Sequence, residues 1–373
     1  MGSTAPAAQF SAMDHAHMAR ALQLAERGRF TAKPNPVVGC VIARGEQAVG
    51  EGWHERAGEA HAEVHALQAA GDAARGATAY VTLEPCGTFG RTPPCADALI
   101  AAGVARVVMA CDDAFQREGE GVARLRVAGI QVDTGLLRAD ARESNAGFFS
   151  RIERGRPWVR IKLGMSLDAR TALADGQSQW ITGLDARADV MRWRGRSGAI
   201  ITGSGTVRAD NPRLTVRFDG DAAAFIAPMR VVLDTGLATP AGSHLLDGSA
   251  PTLFVHAPDA RTAAHFDRVE RLAVAEKGGR LDLPAVLAEL AQRGCNELLV
   301  ETGATLAGAF IESGLCDELL LYVAPRLLGD SARALLALPP LPALTAARGW
   351  RWHDVRMVGG DLRLLLRPTD AHS

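Results

Sequence analysis

HAEVHAL at residues 61–67, read with LEPCGTFGRTPPC at residues 83–95, decides how the first part of this chain folds. A catalytic zinc site uses three protein ligands and leaves its fourth position to water, and it favours thiolate and imidazole donors. His61, Cys86 and Cys95 supply such a set. Glu63 stands two residues after His61. On a regular helix that spacing points to nearly opposite sides, so both side chains reach one metal only from the first turn, where the chain is still entering the helix. Pro85-Cys86 ends the apolar run YVTLE and releases a thiol at the carboxyl end of a strand, where open α/β sheets place their sites. A helix starting near Cys95 turns its positive end toward that thiolate and lowers its pKa.

Zinc deaminases combine a His/Cys/Cys metal with an unligated Glu that shuttles protons. Their usual spacing is P-C-x-x-C, whereas eight residues separate Cys86 and Cys95 here. A tetrahedral ion is indifferent to sequence spacing, so GTFGRTPP reads as a substrate loop. Other readings compete. His61 and His65 have the spacing of a zinc-protease helix, but that motif needs Glu directly after the first His, where Ala62 stands. A structural zinc needs a fourth protein ligand, for which His54, His65 and Cys111 are nearest in sequence. Unrelated core thiols and a surface histidine are the plainest alternative.

Outward from this centre, helical and strand patterns alternate. SAMDHAHMARALQLAERG is a capped helix from Ser11 to Gly28, and PVVGCVIA, TAYVTL and ARVVMAC are short strands. CADALIAAG is a helix, and VARLRVAGIQV is one more helix-to-strand step. That order predicts an α/β sheet with helices on both faces. The charged segment SRIERGRP marks a junction, giving expected domains at 1–152 and 153–373. Past it, WVRIKLG, GAIIT, MRVVLD, TLFVH, ELLVE and ELLLYVA read as strands, with LDARADVMRWRG, LPAVLAELAQRG and GATLAGAFIESG as helices between them.

The chain has 373 residues, 47% hydrophobic and 22% charged, with net charge -1. Two domains fit that length, and the balance is that of a soluble globular protein. A general nucleic-acid binder would carry a basic surplus, and an editing groove would be aromatic-rich, against 5% aromatic residues here. No run approaches the roughly 18 apolar residues of a membrane span. Six cysteines in a chain of this size do not form a disulfide framework, so a cytoplasmic location is expected.

In the second half, Gly203-Ser204-Gly205 follows a strand, but Arg208 stands where a dinucleotide fingerprint needs its third glycine, and a lone G-x-G is weak. ETGATLAG opens a helix whose free amides suit a phosphate. Asp210, Arg213 and Arg217 lie on one loop, while Arg187, Arg192 and Arg194 share a helix. Arginine forks suit phosphates, although any one of them alone reads as a solvated surface residue.

Taken together, TAKPNPVVGCVI, HAEVHAL and EPC…GRTPPC resemble the riboflavin-biosynthesis branch of the cytidine-deaminase-like superfamily. IKLGMSLDARTA, SQWIT, TVRADNPRLTVR and VETGATLAGAF resemble the reductase half of the same bifunctional family, so the resemblance spans nearly the whole chain. It implies an N-terminal three-layer α/β/α deaminase domain with one Zn2+, and a C-terminal dihydrofolate-reductase-like α/β domain that uses NADPH. It implies that Asn35 touches the substrate ring and that Glu63 moves protons. Gly164, Trp180, Thr206, Asp210, Thr235 and the turn Gly303, Ala304, Thr305, Leu306, Ala307, Gly308 and Ala309 would hold the dinucleotide. Lys162, Ser178, Arg194, Leu214, Arg217 and Glu301 would face the substrate, with the arginines on its ribose phosphate.

The implied reaction is zinc hydrolytic deamination of a diaminopyrimidinone ribosylamino phosphate, followed by NADPH reduction of its ribosyl group to ribityl. The expected partners are this small molecule and further copies of the chain, with no nucleic acid and no membrane. Two segments depart from the family: Gly87-Thr88 replaces Ser-His after Cys86, and DDAFQREGEG at 112–121 replaces an Asp-Pro-Asn-Pro loop. Both line the deaminase pocket, so a reductase with a weakened deaminase is the alternative. A nucleotide or transfer-RNA deaminase would leave the second domain unexplained. A non-catalytic zinc module would not depend on Glu63.

Overall fold

Short apolar runs separated by helices organise both halves of the chain. The computed structural model describes residues 10–89, 93–115, 120–218 and 225–369. The chain divides into two units, Met1–Arg154 and Gly155–Ser373. Among the described residues, no helix is long and apolar enough to cross a membrane.

The first unit has five strands: β1 (Gly39–Arg44), β2 (Gln47–Trp53), β3 (Thr78–Val81), β4 (Arg106–Met109) and β5 (Gln131–Thr134). They lie in the order β2-β1-β3-β4-β5, antiparallel from β2 to β3 and parallel from β3 to β5. Alternating side chains face opposite ways along a strand, and the two faces carry separate cores. Ile42, Ala79, Val107 and Met109 pack under α2 (Ala62–Ala70), α3 (Cys95–Ala102) and α4 (Glu120–Val127). Val41, Tyr80 and Val108 pack against α1 (Ala12–Ala25), α5 (Arg138–Ser144) and α6 (Ala146–Arg154). A capping box starts α1, in which Ser11 Oγ accepts from Asp14 N at 3.1 Å and Asp14 Oδ2 accepts from Ser11 N at 2.8 Å.

Helix α1 approaches β1 so closely that only glycine fits at residue 39. A Cβ there would lie 1.9 Å from the Ala21 carbonyl oxygen. Gly39→Ala is therefore expected to destabilise this unit by about 1–3 kcal/mol, the usual cost of overpacking, measured as a lower denaturation midpoint.

The second unit is a nine-stranded sheet. Its strands are β6 (Trp158–Ser166), β8 (Ala199–Gly203), β9 (Met229–Leu233), β10 (Thr252–His256), β11 (Glu270–Ala273), β14 (Glu297–Glu301), β15 (Glu318–Ala324), β17 (Trp350–Val358) and β18 (Asp361–Pro368). Their order is β11-β10-β9-β8-β14-β6-β15-β18-β17, and every neighbouring pair is parallel except the two that β18 makes, with β15 and with β17. β7 (Arg170–Ala172) pairs with β16 (Arg333–Ala334), and β12 (Glu276–Lys277) with β13 (Arg280–Leu281). Val159, Ile161, Leu298 and Val300 face α9 (Leu283–Gln292) and α10 (Ala304–Glu312). Ile200, Val232 and Leu299 face α7 (Leu184–Arg196) and α8 (Ser204–Asp210).

All six strands and three helices expected beyond the junction form. Gly203-Ser204-Gly205 instead opens the short helix α8, with Gly203 as its cap. The sequence reading passed over β2 and the β17–β18 hairpin. β17, WRWHDVRMV, is charged and exposed along most of its length, so it carries no clean two-residue alternation.

Candidate active sites

In the first unit, three side chains remote in sequence converge. His61 sits at the cap position of α2 in extended conformation (φ -79, ψ 167) and makes no capping hydrogen bond. Cys86 lies on the segment after β3, which Glu84 N anchors to the Cys111 carbonyl at 2.9 Å. Cys95 is the first residue of α3, and its amide donates to Cys86 Sγ at 3.2 Å. His61 Nδ1 is 3.2 Å from Cys95 Sγ and 3.6 Å from Cys86 Sγ. One ligand atom from each of the three lies within 4.8 Å of the other two, and no further residue joins this group among the described residues. Two soft thiols and an imidazole suit zinc, with one coordination position open. The Cys86 thiol is held well below its ordinary range, first by hydrogen bonding with the Cys95 thiol, then by His61 and the Cys95 amide.

Glu63, in the first turn of α2, is buried beside this group. Burial is the main cause that pushes its carboxyl up to about 7, with the His61 charge opposing. Of the other histidines and thiols, Cys111 is committed to the Thr82 carbonyl at 3.4 Å, and His65 Nε2 is buried without a hydrogen-bond partner. His54 lies outside the metal group, but its ring stands edge-on to His61 at 5.2 Å. Its Nε2 is 3.0 Å from Asn35 Nδ2, and its Nδ1 is 3.2 Å from the Ala60 carbonyl. Asn35 is thereby set next to the centre. Asn145 fixes the turn that carries it, with Val37 N donating to Asn145 Oδ1 at 2.8 Å and Asn145 Nδ2 to the Val37 carbonyl at 2.9 Å. Only the tertiary structure assigns His54 this place; its signal in the sequence was a lone histidine seven residues before His61.

The two departing segments touch each other. A Cβ on Gly87 would come within 2.6 Å of Gly121 N, and one on Gly121 within 1.9 Å of the Pro85 carbonyl oxygen. Glu84 ties the same corner, accepting from Asp113 N at 3.3 Å and Val122 N at 3.5 Å. Gly87 and Gly121 therefore form one close backbone contact, and the two changes belong together. Residues 90–92 of the first segment and 116–119 of the second lie outside the described residues.

In the second unit a cavity of about 1590 Å³ runs along the carboxyl ends of β6, β8, β9 and β14. This is where a parallel sheet leaves room for a ligand. Lys162 and Glu301 are partners on adjacent strands. Arg194 grips Glu301 in a two-pronged pair at 2.5 and 2.9 Å and donates to the Thr215 carbonyl at 2.9 Å. Burial alone would raise the Glu301 carboxyl, but Arg194 and then Lys162 hold it below its ordinary value. Burial lowers the Lys162 ammonium against the pull of Glu301. Arg194 thus already holds a carboxylate, whereas the exposed Arg217 makes no ion pair among the described residues.

Gly164, Ser178, Trp180, Thr206, Asp210, Leu214 and Thr235 also line the cavity. Trp180 is 62% exposed, with the Arg187 guanidinium 4.4 Å from its ring centre. Gly303 caps α10 in extended conformation without a side-chain cap, and a Cβ there would meet nothing within 4 Å. Gly303 to Leu306 and Ala309 face the cavity. Ala307 points instead into the core, and Gly308 packs on the Ala337 carbonyl. This follows the helical period, which turns part of any such run inward.

Comparison with known proteins accounts for both units. Residues 157–361 match the RibD C-terminal domain family, and residues 11–111 match the cytidine and deoxycytidylate deaminase zinc-binding region. The chain is similar to the riboflavin biosynthesis protein RibD of Escherichia coli, 48% identical over 363 residues that cover 95% of this chain and 99% of the relative. The Haemophilus influenzae protein of the same name is 42% identical over 96% of this chain and 99% of its own length. Among solved structures, Acinetobacter baumannii RibD superposes with a TM-score of 0.90 at 43% identity, covering 96% of this chain and 99% of that one. A Thermotoga maritima protein, described as a diaminohydroxyphosphoribosylaminopyrimidine deaminase/5-amino-6-(5-phosphoribosylamino)uracil reductase, does so with 0.83 at 28% identity over 95% and 99% of the two chains.

Proposed function

Because the chain belongs to the RibD family of riboflavin biosynthesis proteins, we propose that it performs two consecutive steps on a pyrimidine ribosylamino phosphate. The first is hydrolytic deamination of the ring in residues 1–152. The second is reduction of the ribosyl group to ribityl by NADPH in residues 153–373. The division at Arg154–Gly155 and the reductase-family match from residue 157 support those boundaries.

The observation that carries the reading is the convergence of His61, Cys86 and Cys95 beside the buried Glu63. These three side chains would hold a zinc ion, which would supply the Lewis acid for activating water. Glu63 takes a proton at its carboxylate and returns it to the amine that leaves as ammonia. Its burial, which raises its proton affinity, suits it to both directions. Asn35, placed by His54, touches the ring.

In the second unit, the size of the cavity and the uncapped amino end of α10 fit a dinucleotide, whose phosphates a helix start attracts. NADPH bound there would supply the hydride for C1′ of the ribosyl group. Gly164, Trp180, Thr206, Asp210, Thr235, Gly303 to Leu306 and Ala309 lie along the cofactor, while Ala307 and Gly308 support the turn from inside. Lys162, Ser178, Leu214 and Glu301 align the substrate, Arg217 meets its phosphate, and Arg194 keeps Glu301 in place.

The partners in this reading are small molecules and further copies of the chain, in the cytoplasm and without nucleic acid. The open edge strand β17, with Trp352 65% and Met357 63% exposed, supports the homo-oligomer.

The test supplies the diaminopyrimidinone ribosylamino phosphate to zinc-loaded protein and then adds NADPH. Ammonia release first and NADPH oxidation second are expected. Chelation of zinc should lower ammonia release by at least about a hundredfold, leave reduction of the deaminated compound unchanged, and be reversed by added Zn2+. Absence of ammonia from zinc-loaded protein that still oxidises NADPH on the deaminated compound would reduce the activity to the second step.

A further inference from the structure

The cavity of the second unit continues past Thr235 to the small hairpin β12–β13 and the start of α9. There Lys277, Arg280, Asp282, Leu283 and His244 line it. Lys277 and Arg280 are paired directly across the two strands. Like charges placed opposite each other destabilise a β ladder, and this ladder has only two residue pairs. Both side chains are exposed, and neither forms an ion pair or a side-chain hydrogen bond among the described residues. No ion pair among the described residues therefore offsets the mutual repulsion of the two cations.

The acidic side chain best placed to bind a ribose hydroxyl at the end of β9 is turned away. Asp234, at the carboxyl end of that strand, is buried, and its two oxygens accept from Ala238 N at 2.9 Å and Thr239 N at 2.8 Å. In dinucleotide sites an acid at such a strand end takes the 2′-hydroxyl of the adenosine ribose, and a cation nearby accommodates a 2′-phosphate instead. Among the lining residues of the hairpin and the start of α9, Asp282, the cap residue of α9, is the one carboxylate beside two cations.

We infer that Lys277 and Arg280 form a phosphate clamp that reads the 2′-phosphate of the dinucleotide and so makes the reductase choose NADPH over NADH. The inference rests on the proposed reductase reading. A phosphate between the two strands converts their repulsion into two charge-assisted contacts, one of them the planar fork of Arg280. Lys277 and Arg280 are exposed and belong to no core cluster, while Leu281 anchors the hairpin in the core, so removing the two charges leaves the fold intact.

The test measures binding to the full chain by calorimetry, with NADP+, NAD+, 2′,5′-ADP and 5′-AMP as the probes. Wild-type protein should bind NADP+ more tightly than NAD+, and 2′,5′-ADP more tightly than 5′-AMP. Lys277→Ala with Arg280→Ala should weaken NADP+ and 2′,5′-ADP by about ten- to a hundredfold, leave NAD+ and 5′-AMP within about twofold, and flatten the salt dependence of NADP+ binding. Lys277→Arg with Arg280→Lys should restore most of the preference. Unchanged NADP+ affinity in the double variant, or equal losses for NADP+ and NAD+, overturns the clamp. Failure of the wild-type chain to bind either dinucleotide overturns the reductase reading itself, and is thereby told apart.

Discussion

Glu63→Gln is expected to slow ammonia release by roughly 10²- to 10⁴-fold, the range of a positioned general acid–base group. Zinc content and NADPH-dependent reduction of the deaminated compound should stay at wild-type levels. The change is nearly isosteric and leaves His61, Cys86 and Cys95 in place, so it removes the proton carrier and keeps the metal group. Among the described residues, a second buried carboxylate of this unit is already engaged. Glu84, also buried on the adjoining segment, has its oxygens facing the Asp113 and Val122 amides. The measurement pairs an ammonia assay with metal analysis of the same sample. Near-normal ammonia release from the fully loaded variant would place the proton shuttle elsewhere, and loss of zinc would make Glu63 a support of the metal site.

Arg160→Leu is expected to cost the second unit about 3–5 kcal/mol of stability, the usual effect of breaking a buried ion pair by removing one partner. Arg160 is 4% exposed. It donates to Glu297 at 2.9 Å and to Glu318, and lies over the Trp193 ring at 4.4 Å. Its loss leaves two buried carboxylates on β14 and β15, the two strands that flank β6, with a cation missing between them. Arg196 on Glu297 at 2.8 Å and Arg367 on Glu318 at 3.0 Å offset part of the cost, which sets the lower figure as the more informative limit. Urea unfolding followed by tryptophan fluorescence reads the effect. Adding Glu297→Gln and Glu318→Gln to Arg160→Leu should recover most of it. A loss below about 1 kcal/mol, the value of an exposed pair, would mean that the outer arginines neutralise both acids unaided.

Local order was legible in the sequence because it is set by nearest neighbours. The strand and helix runs on both sides of the junction follow from side-chain period and from caps such as Ser11, and these elements form. The metal group was legible for another reason: zinc chemistry restricts its donors to a few residue types, so His61, Cys86 and Cys95 identify themselves whatever the chain does between them. The edge hairpin β17–β18 was not legible, since a charged strand becomes a strand through its partner and not through its own pattern.

Pairings between distant positions were decided by the tertiary structure alone. It sets Asn35 against His54, Gly87 against Gly121 and Arg194 onto Glu301, and it brings the local Lys277–Arg280 pair to a cavity that Lys162 and Glu301 also line. Read singly, each of these is an ordinary polar or small residue. What joins them is the order of strands in a sheet, which brings chain ends together by their hydrogen bonds and places them without regard to sequence distance. The sequence by itself thus determined which chemistry this protein holds; the sheets decided which side chains stand close enough to carry it out.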